Sequence, residues 1–298
     1  MSQNTENREH PSPRITLGDL GLLKNHLNRC APEKQDKLLL DILKQIFGQN
    51  SKDLTLKLAE EIVEHVRGLR RNDLAFLNYE YLAEFMDKAI EDDNVPLMEY
   101  LLSLSRRLEK GQMPSYGWSD QRYHKDIKQV GPRSARMMRV LVQNGFNINQ
   151  RAHGHTTLHF ALASPYTDDE SVQLIKYLAS KIQDINQTDE HGYTALHAWL
   201  HETQEDRWRG KKDVVREITT HLLDNHASLA ATAKEENGDT PLHFVAQSAS
   251  LSLVELFLSR GADKDARNKD GKTPHDYAQR FKDSADDDEK KVYTLMMK

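Results

Sequence analysis

The chain has 298 residues, 38% of them hydrophobic, which is enough to bury a substantial core in one elongated domain or two compact ones. Its 41 basic and 46 acidic side chains give a net charge of -5, so no global field attracts nucleic acid or an anionic membrane, and neither is expected as a partner. The single cysteine excludes an internal disulfide, and the absence of a signal-peptide core or a run of 18 apolar residues favours a cytoplasmic protein.

The N-terminal part of the chain is predicted to be helical but shows no repeat. Residues 1–14 are polar and are expected to be disordered, whereas residues 15–81 contain two segments with apolar residues at helical spacing. These segments read LLLDILKQIF at 38–47, which is followed by a glycine, and LTLKLAEEIVEHVRG at 54–68. We therefore expect a helical region over residues 15–81.

Residues 84–149 show two further helix-turn-helix patterns. In 84–104, a turn at 92–94 separates two short helices, and the second carries an apolar stripe of Val95, Met98, Leu101 and Leu102. In 120–149, a Gly-Pro turn lies between two helices, and an NGFNIN turn follows. The loop 111–124 between the two patterns contains Tyr116, Trp118 and Tyr123. It is either a binding loop or a segment that packs on its neighbours.

The second half of the chain repeats one short motif four times. The copies are TTLHFA at 156–161, TALHAW at 194–199, TPLHFVA at 240–246 and TPHDYA at 273–278. A glycine precedes each copy by two residues, which suits a tight turn with positive φ. The copies are 38, 46 and 33 residues apart, and an apolar helix followed by a turn recurs in register behind them. This second signature occurs at 140–149, 174–186 and 254–266.

These motifs resemble the ankyrin repeat, a unit of a β-turn and two antiparallel helices with the signature T-P-L-H-x-A and a period of 33 residues. The resemblance implies an all-α fold, a solenoid of helix-turn-helix repeats with short β-turns and a helical N-terminal cap. About six repeats are expected over 82–283, including a C-terminal cap whose furthest limit is 298. Residues 284–298 form an acidic and then apolar tail, and the helices of 15–81 are expected to cover the open end of the stack.

The resemblance also implies a structural role for the threonine and histidine residues of the motif. Each threonine caps a first helix, and each histidine ties one repeat to the next through its ring. His153 and His155 fall on the turn, so the three histidines at 153–159 predict neither a metal site nor a cofactor site. The structural motif residues are Thr156, His159, Thr194, His197, Thr240, His243 and Thr273.

Two departures from the regular repeat are visible. The 46-residue spacing exceeds the period by 13, and the excess lies in a charged loop at 201–213 that carries Trp208. Trp208 is either an exposed binding hot spot or a side chain folded over its own repeat. A second insertion, 164–171, lies on the same edge, and the two could form a shared lip. Trp199 replaces the small residue found at Ala161, which predicts a filled, wider repeat interface or an opening to a groove.

The resemblance implies a non-catalytic scaffold or adaptor that binds a protein partner through the concave face and the irregular loops. The oligomeric state is not predicted. The alternative is an enzyme or enzyme-modulating protein with its activity in the N-terminal helices, where His26 and Cys30 share one helical face without a third orienting group. The expected protein-binding residues are Trp118, His191, Tyr193, His201, Trp208, Glu236, Asn237, Asp239, Gln247 and Lys269.

The irregular repeats and the separate helical N-terminus also resemble effectors that intracellular bacteria deliver into host cells. The acidic stretch 286–289, followed by apolar residues at 295–297, is similar to a type IV secretion signal. A solubilising acidic tail is the alternative interpretation of the same residues.

Overall fold

The computed structural model describes residues 15–47, 52–69, 79–108, 133–152, 154–164, 167–204, 208 and 210–297. Predictions that concern residues 1–14, His153, the Gly131-Pro132 turn and the loop 111–124 with Trp118 lie outside these residues. Internal contacts divide the chain into two compact units, Met1–Pro114 and Ser115–Lys298. The described parts of both units are helical, apart from one short strand pair in the second.

The first unit is a small bundle of five helices. The hairpin predicted at 84–104 is present, with its turn at Asp93 in the left-handed region, and its two helices pack on each other. Two of the N-terminal helices pack on this hairpin, since α2 contacts α4 and α3 contacts α5, and α1 packs on α2 and α3. The hairpin therefore shares a core with the N-terminal helices. The helices are α1 (Leu20–Arg29), α2 (Pro32–Phe47), α3 (Lys52–Leu69), α4 (Tyr79–Glu91) and α5 (Val95–Leu108).

The second unit is a stack of helical hairpins. First helices contact first helices, in the order α7, α9, α11 and α13, and second helices contact second helices, in the order α6, α8, α10, α12 and α14. This pattern is that of a solenoid in which each repeat buries its apolar side against its neighbours. The helices are α6 (Ala135–Gln143), α7 (Thr157–Leu162), α8 (Asp169–Lys181), α9 (Ala195–Glu202), α10 (Lys212–Asp224), α11 (Pro241–Gln247), α12 (Leu251–Ser259), α13 (Pro274–Ala278) and α14 (Asp287–Met297).

A tight turn precedes each first helix, and we call these turns fingers (residues 151–156, 188–194, 233–240 and 268–273). In the first finger, strands β1 (Arg151–Ala152) and β2 (His155–Thr156) pair antiparallel. The next two fingers are closed by single bridges. Each finger carries its motif glycine at a φ between 75° and 80°, a conformation that favours glycine.

The motif threonine and histidine form one compact cap at the start of a first helix. In the first copy, the backbone N–H of Thr156 donates to Nδ1 of His159 at 3.4 Å, and the threonine Oγ1 lies 2.8 Å from the same nitrogen. The same pairs occur between Thr194 and His197 and between Thr240 and His243. Since Nδ1 accepts, the hydrogen-bond network assigns the ring proton to Nε2. The imidazole is therefore neutral and has one donor left for another repeat.

This remaining donor connects neighbouring repeats at two joints. Nε2 of His159 donates to the carbonyl of Tyr193 at 3.1 Å, and Nε2 of His243 donates to the carbonyl of Lys272 at 3.1 Å. His197 differs, because its buried Nε2 faces the carbonyls of Asp239 and Ala231 without forming a hydrogen bond within the described chain. His197 therefore caps its own helix and also faces the next repeat, but with a less favourable hydrogen-bond geometry than His159 and His243.

The final repeat keeps the helix cap but lacks the Nε2–H donor of the motif histidine. Asp276 replaces the histidine, and its carboxylate accepts from the backbone N–H of Thr273 at 2.7 Å and from its Oγ1 at 3.0 Å. These bonds lower the pKa of Asp276. Most of the residues predicted as an acidic and then apolar tail form helix α14. This helix packs on α12 and α13 and buries Val292 and Met296.

We expect Gly192→Ala to destabilise the array more than Gly271→Ala. Both glycines have a similar positive φ, so both variants carry a strain of roughly 1 kcal/mol or more. A Cβ on Gly192 would lie 2.7 Å from Cβ of Lys234 in the next finger, whereas a Cβ on Gly271 meets nothing within 4 Å. The overlap adds a cost on the order of 1–3 kcal/mol. Urea denaturation followed by circular dichroism measures both variants, and equal losses would refute the close approach of the fingers.

We also expect the array to lose stability as the pH falls from about 6.5 towards 4. Burial lowers the pKa of both His159 and His197 to about 4, from 6.5 in the unfolded chain. The unfolded chain therefore binds more protons in this window. The free energy of unfolding is therefore unaffected by these rings above pH 6.5. Near pH 5 it is lower by roughly 2 kcal/mol per ring.

The measurement is the free energy of unfolding against pH, compared between the wild type and His159→Gln. The variant lacks one of the two groups, so its slope between about pH 4 and 6.5 should be shallower by up to about 1.4 kcal/mol per pH unit. Identical slopes would show that the ring of His159 is not held neutral.

Candidate functional site

A row of aromatic and imidazole rings runs along the fingers and the exposed side of the first helices, and we call this surface the finger face. The ring centroids of His155 and His191 are 6.3 Å apart, those of His191 and Tyr193 6.5 Å, and those of Tyr193 and His201 6.4 Å. The last two rings are nearly parallel, with an angle of 25° between their planes. Three of the residues predicted to bind a partner, His191, Tyr193 and His201, are thus neighbours in space.

Tyr193 is the fixed centre of this row. Its hydroxyl donates to Oε1 of Glu236 in the next finger at 2.9 Å, and its ring meets the edge of Phe244 with 6.2 Å between centroids. Burial, followed by the hydrogen bond to Glu236, raises the pKa of the tyrosine hydroxyl. The side chain therefore stays neutral and holds its orientation, while part of the ring remains exposed.

His191 joins the same two fingers at the solvent-exposed edge of the row. Its Nδ1 lies 3.0 Å from Oε2 of Glu235, and its Nε2 lies 3.7 Å from Oε1 of Glu190. The hydrogen bond with Glu235 raises the pKa of His191. Both side chains of the closer pair are about half exposed, at 48% and 59%. Such a pair contributes little to stability but remains available to a partner.

Backbone-directed bonds hold the fingers in register. The guanidinium of Arg151 donates to the carbonyls of Gly154 and Thr188, which fixes the first finger on the second. The third and fourth fingers are joined by Lys269, whose backbone N–H donates to the carbonyl of Asn237 at 2.7 Å, and by the Asn237 side chain, which donates to Asp270 at 2.9 Å. Predicted site residues Asn237 and Lys269 are thus exposed finger residues with a structural bond each.

Asp239 was expected to contact a partner, and the structure corrects this prediction. The residue is only 5% exposed. Its carboxylate accepts from the amide of Asn268 at 2.6 Å and from the hydroxyl of Tyr277 at 2.7 Å. Since both donors come from the last repeat, Asp239 joins two repeats internally and is not available to a partner.

The structure also rejects the exposed hot-spot interpretation of Trp208, whose side chain is 4% exposed. Its ring packs edge to face on Trp199, with 4.8 Å between centroids and 79° between planes. Trp199 is fully buried and donates from Nε1 to Oγ1 of Thr219 at 2.9 Å. The two departures from the regular repeat are therefore linked. Trp199 occupies the position of a small residue, and the 13-residue insertion supplies the ring of Trp208, which packs on it.

The two insertions meet, as the shared-lip prediction expected. Nζ of Lys211, at the end of the second insertion, donates to Oγ1 and to the carbonyl of Thr167 in the first. The same ammonium lies 5.9 Å from the ring centroid of Trp208. The lip is thus anchored to two adjacent repeats.

The opposite side of the stack differs in character. A shallow depression of about 380 Å³ lies between α8 and α10. Its charges are paired with nearby groups: Lys176 bonds to Glu217, and Arg216 donates to the carbonyl of Ser252. Within the described chain, no cluster of three or more His, Cys, Asp or Glu side chains could hold a metal ion, and no helix has both the length and the apolar character to cross a membrane.

The remaining candidates are placed as follows. Glu236 and Gln247 are exposed on the finger face, and the carbonyl of Gln247 accepts from Arg280. In the first unit, Cys30 is half-buried at the end of α1, and its backbone N–H donates to the carbonyl of His26. Sequence reasoning missed Glu235, which a row of exposed finger residues could have indicated.

We expect Trp208→Ala to destabilise the array by about 3–5 kcal/mol, as for other buried aromatic side chains. His201→Ala, at an exposed position of the same repeat, should change the free energy of unfolding by about 0.5 kcal/mol or less. Urea denaturation followed by far-ultraviolet circular dichroism measures both. Similar small losses would return Trp208 to the list of exposed binding residues.

Three comparisons with known proteins bear on this architecture. A family model for ankyrin repeats (many copies) matches residues 222–278. The chain is 28% identical over 139 residues to ankyrin repeat protein OPG189 of variola virus, which is 45% of this chain and 23% of the viral protein. It is 30% identical over 132 residues to putative ankyrin repeat protein FPV240 of fowlpox virus, which is 44% of this chain and 28% of the viral protein.

The chain spans about a quarter of the length of these viral relatives. Similarity of this extent concerns the repeats and not the whole viral proteins. The motif, the stacked hairpins and the matches to known repeats agree, and the chain belongs to the ankyrin-repeat family.

Proposed function

We propose that the protein is a non-catalytic scaffold or adaptor that binds a protein partner through the finger face. Ankyrin repeats are protein-interaction modules, and the observation that carries the proposal is the ring row from His155 to His201. It spans adjacent repeats, it is held in place by bonds between fingers, and it exposes polar and aromatic groups together. Exposed aromatic residues on a rigid frame are typical of binding surfaces.

The lip formed by the two insertions extends the proposed surface at its edge. Among its described residues, Lys211 bonds to Thr167 of the neighbouring repeat and Trp208 packs on Trp199. The opposite side carries ion pairs such as Lys176 with Glu217 and Arg260 with Asp224, and no row of exposed rings is described there. We therefore place the partner on the finger side and use the second helices as a control surface.

We infer that the partner is met in the cytoplasm of a host cell. This inference is supported by the relatives, which come from variola and fowlpox viruses and thus from agents that reproduce inside cells. We do not extend the proposal to a bacterial delivery signal at 286–297, because these residues contribute the packed helix α14.

The proposal is tested by affinity capture from a eukaryotic cell lysate with quantitative mass spectrometry. The bait variant Tyr193→Ala/His201→Ala should lose the specific partner by about tenfold or more, because it removes the two adjacent rings at the centre of the row. The Glu217→Ala/Asp224→Ala variant, which changes two exposed residues of α10 outside both insertions, is the control and should capture as the wild type does.

Folding of both baits is checked by circular dichroism before capture. Equal capture by all three proteins would place the interaction outside the finger face and overturn the proposal. Loss with the α10 variant alone would assign binding to the second helices instead.

A further inference from the structure

The centre of the finger face combines a ring pair with an excess of carboxylates. The second and third fingers, 188–194 and 233–240, contain five acidic residues and one basic residue, Lys234. Of the five, Asp189 and Asp239 are buried, while Glu190, Glu235 and Glu236 are exposed. The negative charge offered to a partner therefore lies on three glutamates around Tyr193.

The cations near this centre do not cancel that charge at the ring pair. The stem of Lys234 lies against Gly192, where an added Cβ would meet its Cβ, Cγ and Cδ atoms. The guanidinium of Arg151 is already bonded to two backbone carbonyls of the fingers. The neighbouring groups respond to this environment: the bond with Glu235 raises the pKa of His191, and burial, followed by the bond to Glu236, raises the pKa of Tyr193.

The second, independent feature is the shape of the aromatic surface. Tyr193 and His201 present nearly parallel rings, and the hydroxyl bond to Glu236 fixes the first of them. A planar cation can stack on such rings while its N–H groups reach the adjacent carboxylates. A lysine ammonium would satisfy the charge but not the planar stacking, and an apolar group would remove water from the glutamates without donating a hydrogen bond in its place.

We propose that the partner presents an arginine-bearing basic segment, whose guanidinium stacks on the Tyr193–His201 pair and forms ion pairs with Glu235 and Glu236. This inference rests on the proposed function, because it names the partner chemistry of the same surface. The segment docks on the finger face with its arginine at the joint between the second and third fingers. Affinity then falls with ionic strength, as it does for exposed ion pairs.

The test selects a phage library of random linear peptides on the immobilised full chain. Arginine should be enriched in the selected peptides relative to the unselected library. A synthetic copy of the strongest peptide should bind the Glu235→Gln/Glu236→Gln variant about tenfold or more weakly than the wild type. Replacing its arginine by lysine should weaken binding, and replacing it by glutamine should weaken binding further.

The control variant is Glu217→Gln/Glu255→Gln, which makes the same change in net charge at exposed positions of α10 and α12 outside the insertions. Binding to this control should equal binding to the wild type. An equal loss in both double variants would mean a general charge effect and would overturn the assignment of the arginine site.

Failure of this inference can be separated from failure of the scaffold proposal. Selected peptides without arginine, or peptides that bind the Glu235→Gln/Glu236→Gln variant as they bind the wild type, overturn the arginine site. If those peptides still lose binding to Tyr193→Ala/His201→Ala, the scaffold proposal stands. If they bind that variant equally well, both proposals fail.

Discussion

The array depends on neutral histidine rings in which both nitrogens form a hydrogen bond. In the first copy, Nδ1 of His159 accepts from the cap of its own helix, and Nε2–H donates to the next finger. A protonated ring has no acceptor nitrogen and would lose the cap, and a ring with the other tautomer would lose the connection. Burial, which keeps the ring neutral, is itself produced by the stacking that the ring supports. Local helix initiation and repeat stacking are thus linked through a single side chain.

The joint at His197 shows how the stack continues where this connection is missing. Its Nε2 forms no regular hydrogen bond within the described chain, although it faces the carbonyls of Asp239 and Ala231, and the same repeat contains the buried pair of Trp199 and Trp208. The joint is held by the bond from Tyr193 to Glu236, by the pair of His191 and Glu235, and by the contact of the His197 ring with Phe244. An insertion that would normally be a neutral surface loop has become part of the packing. The ring row that we propose for binding ends beside this joint, where Tyr193 bonds to Glu236 of the third finger.

The sequence allowed the repeats, the finger glycines and the threonine caps to be predicted, because these depend on neighbours a few residues apart. The members of the ring row were predicted only as separate exposed residues, and their proximity was not predicted. The burial of Trp208 and Asp239 could not be predicted, since it depends on Trp199 in one case and on Asn268 and Tyr277 of a following repeat in the other. The helix α14 was missed because its acidic first turn resembles a solubilising tail, although acidic residues also stabilise a helix N-terminus.

The replacement of histidine by Asp276 affects where a duplicated repeat can be added to the array. A carboxylate can cap α13 but has no proton to offer, and a Cβ added to Gly271 would meet none of the described residues within 4 Å. A tandem duplication placed after this repeat would meet a neighbour that cannot form the ring-to-carbonyl bond. New units are accommodated more easily between existing ones, where His159 and His243 already supply that donor. The length of such a protein should therefore change by internal duplication more often than by growth beyond the last repeat.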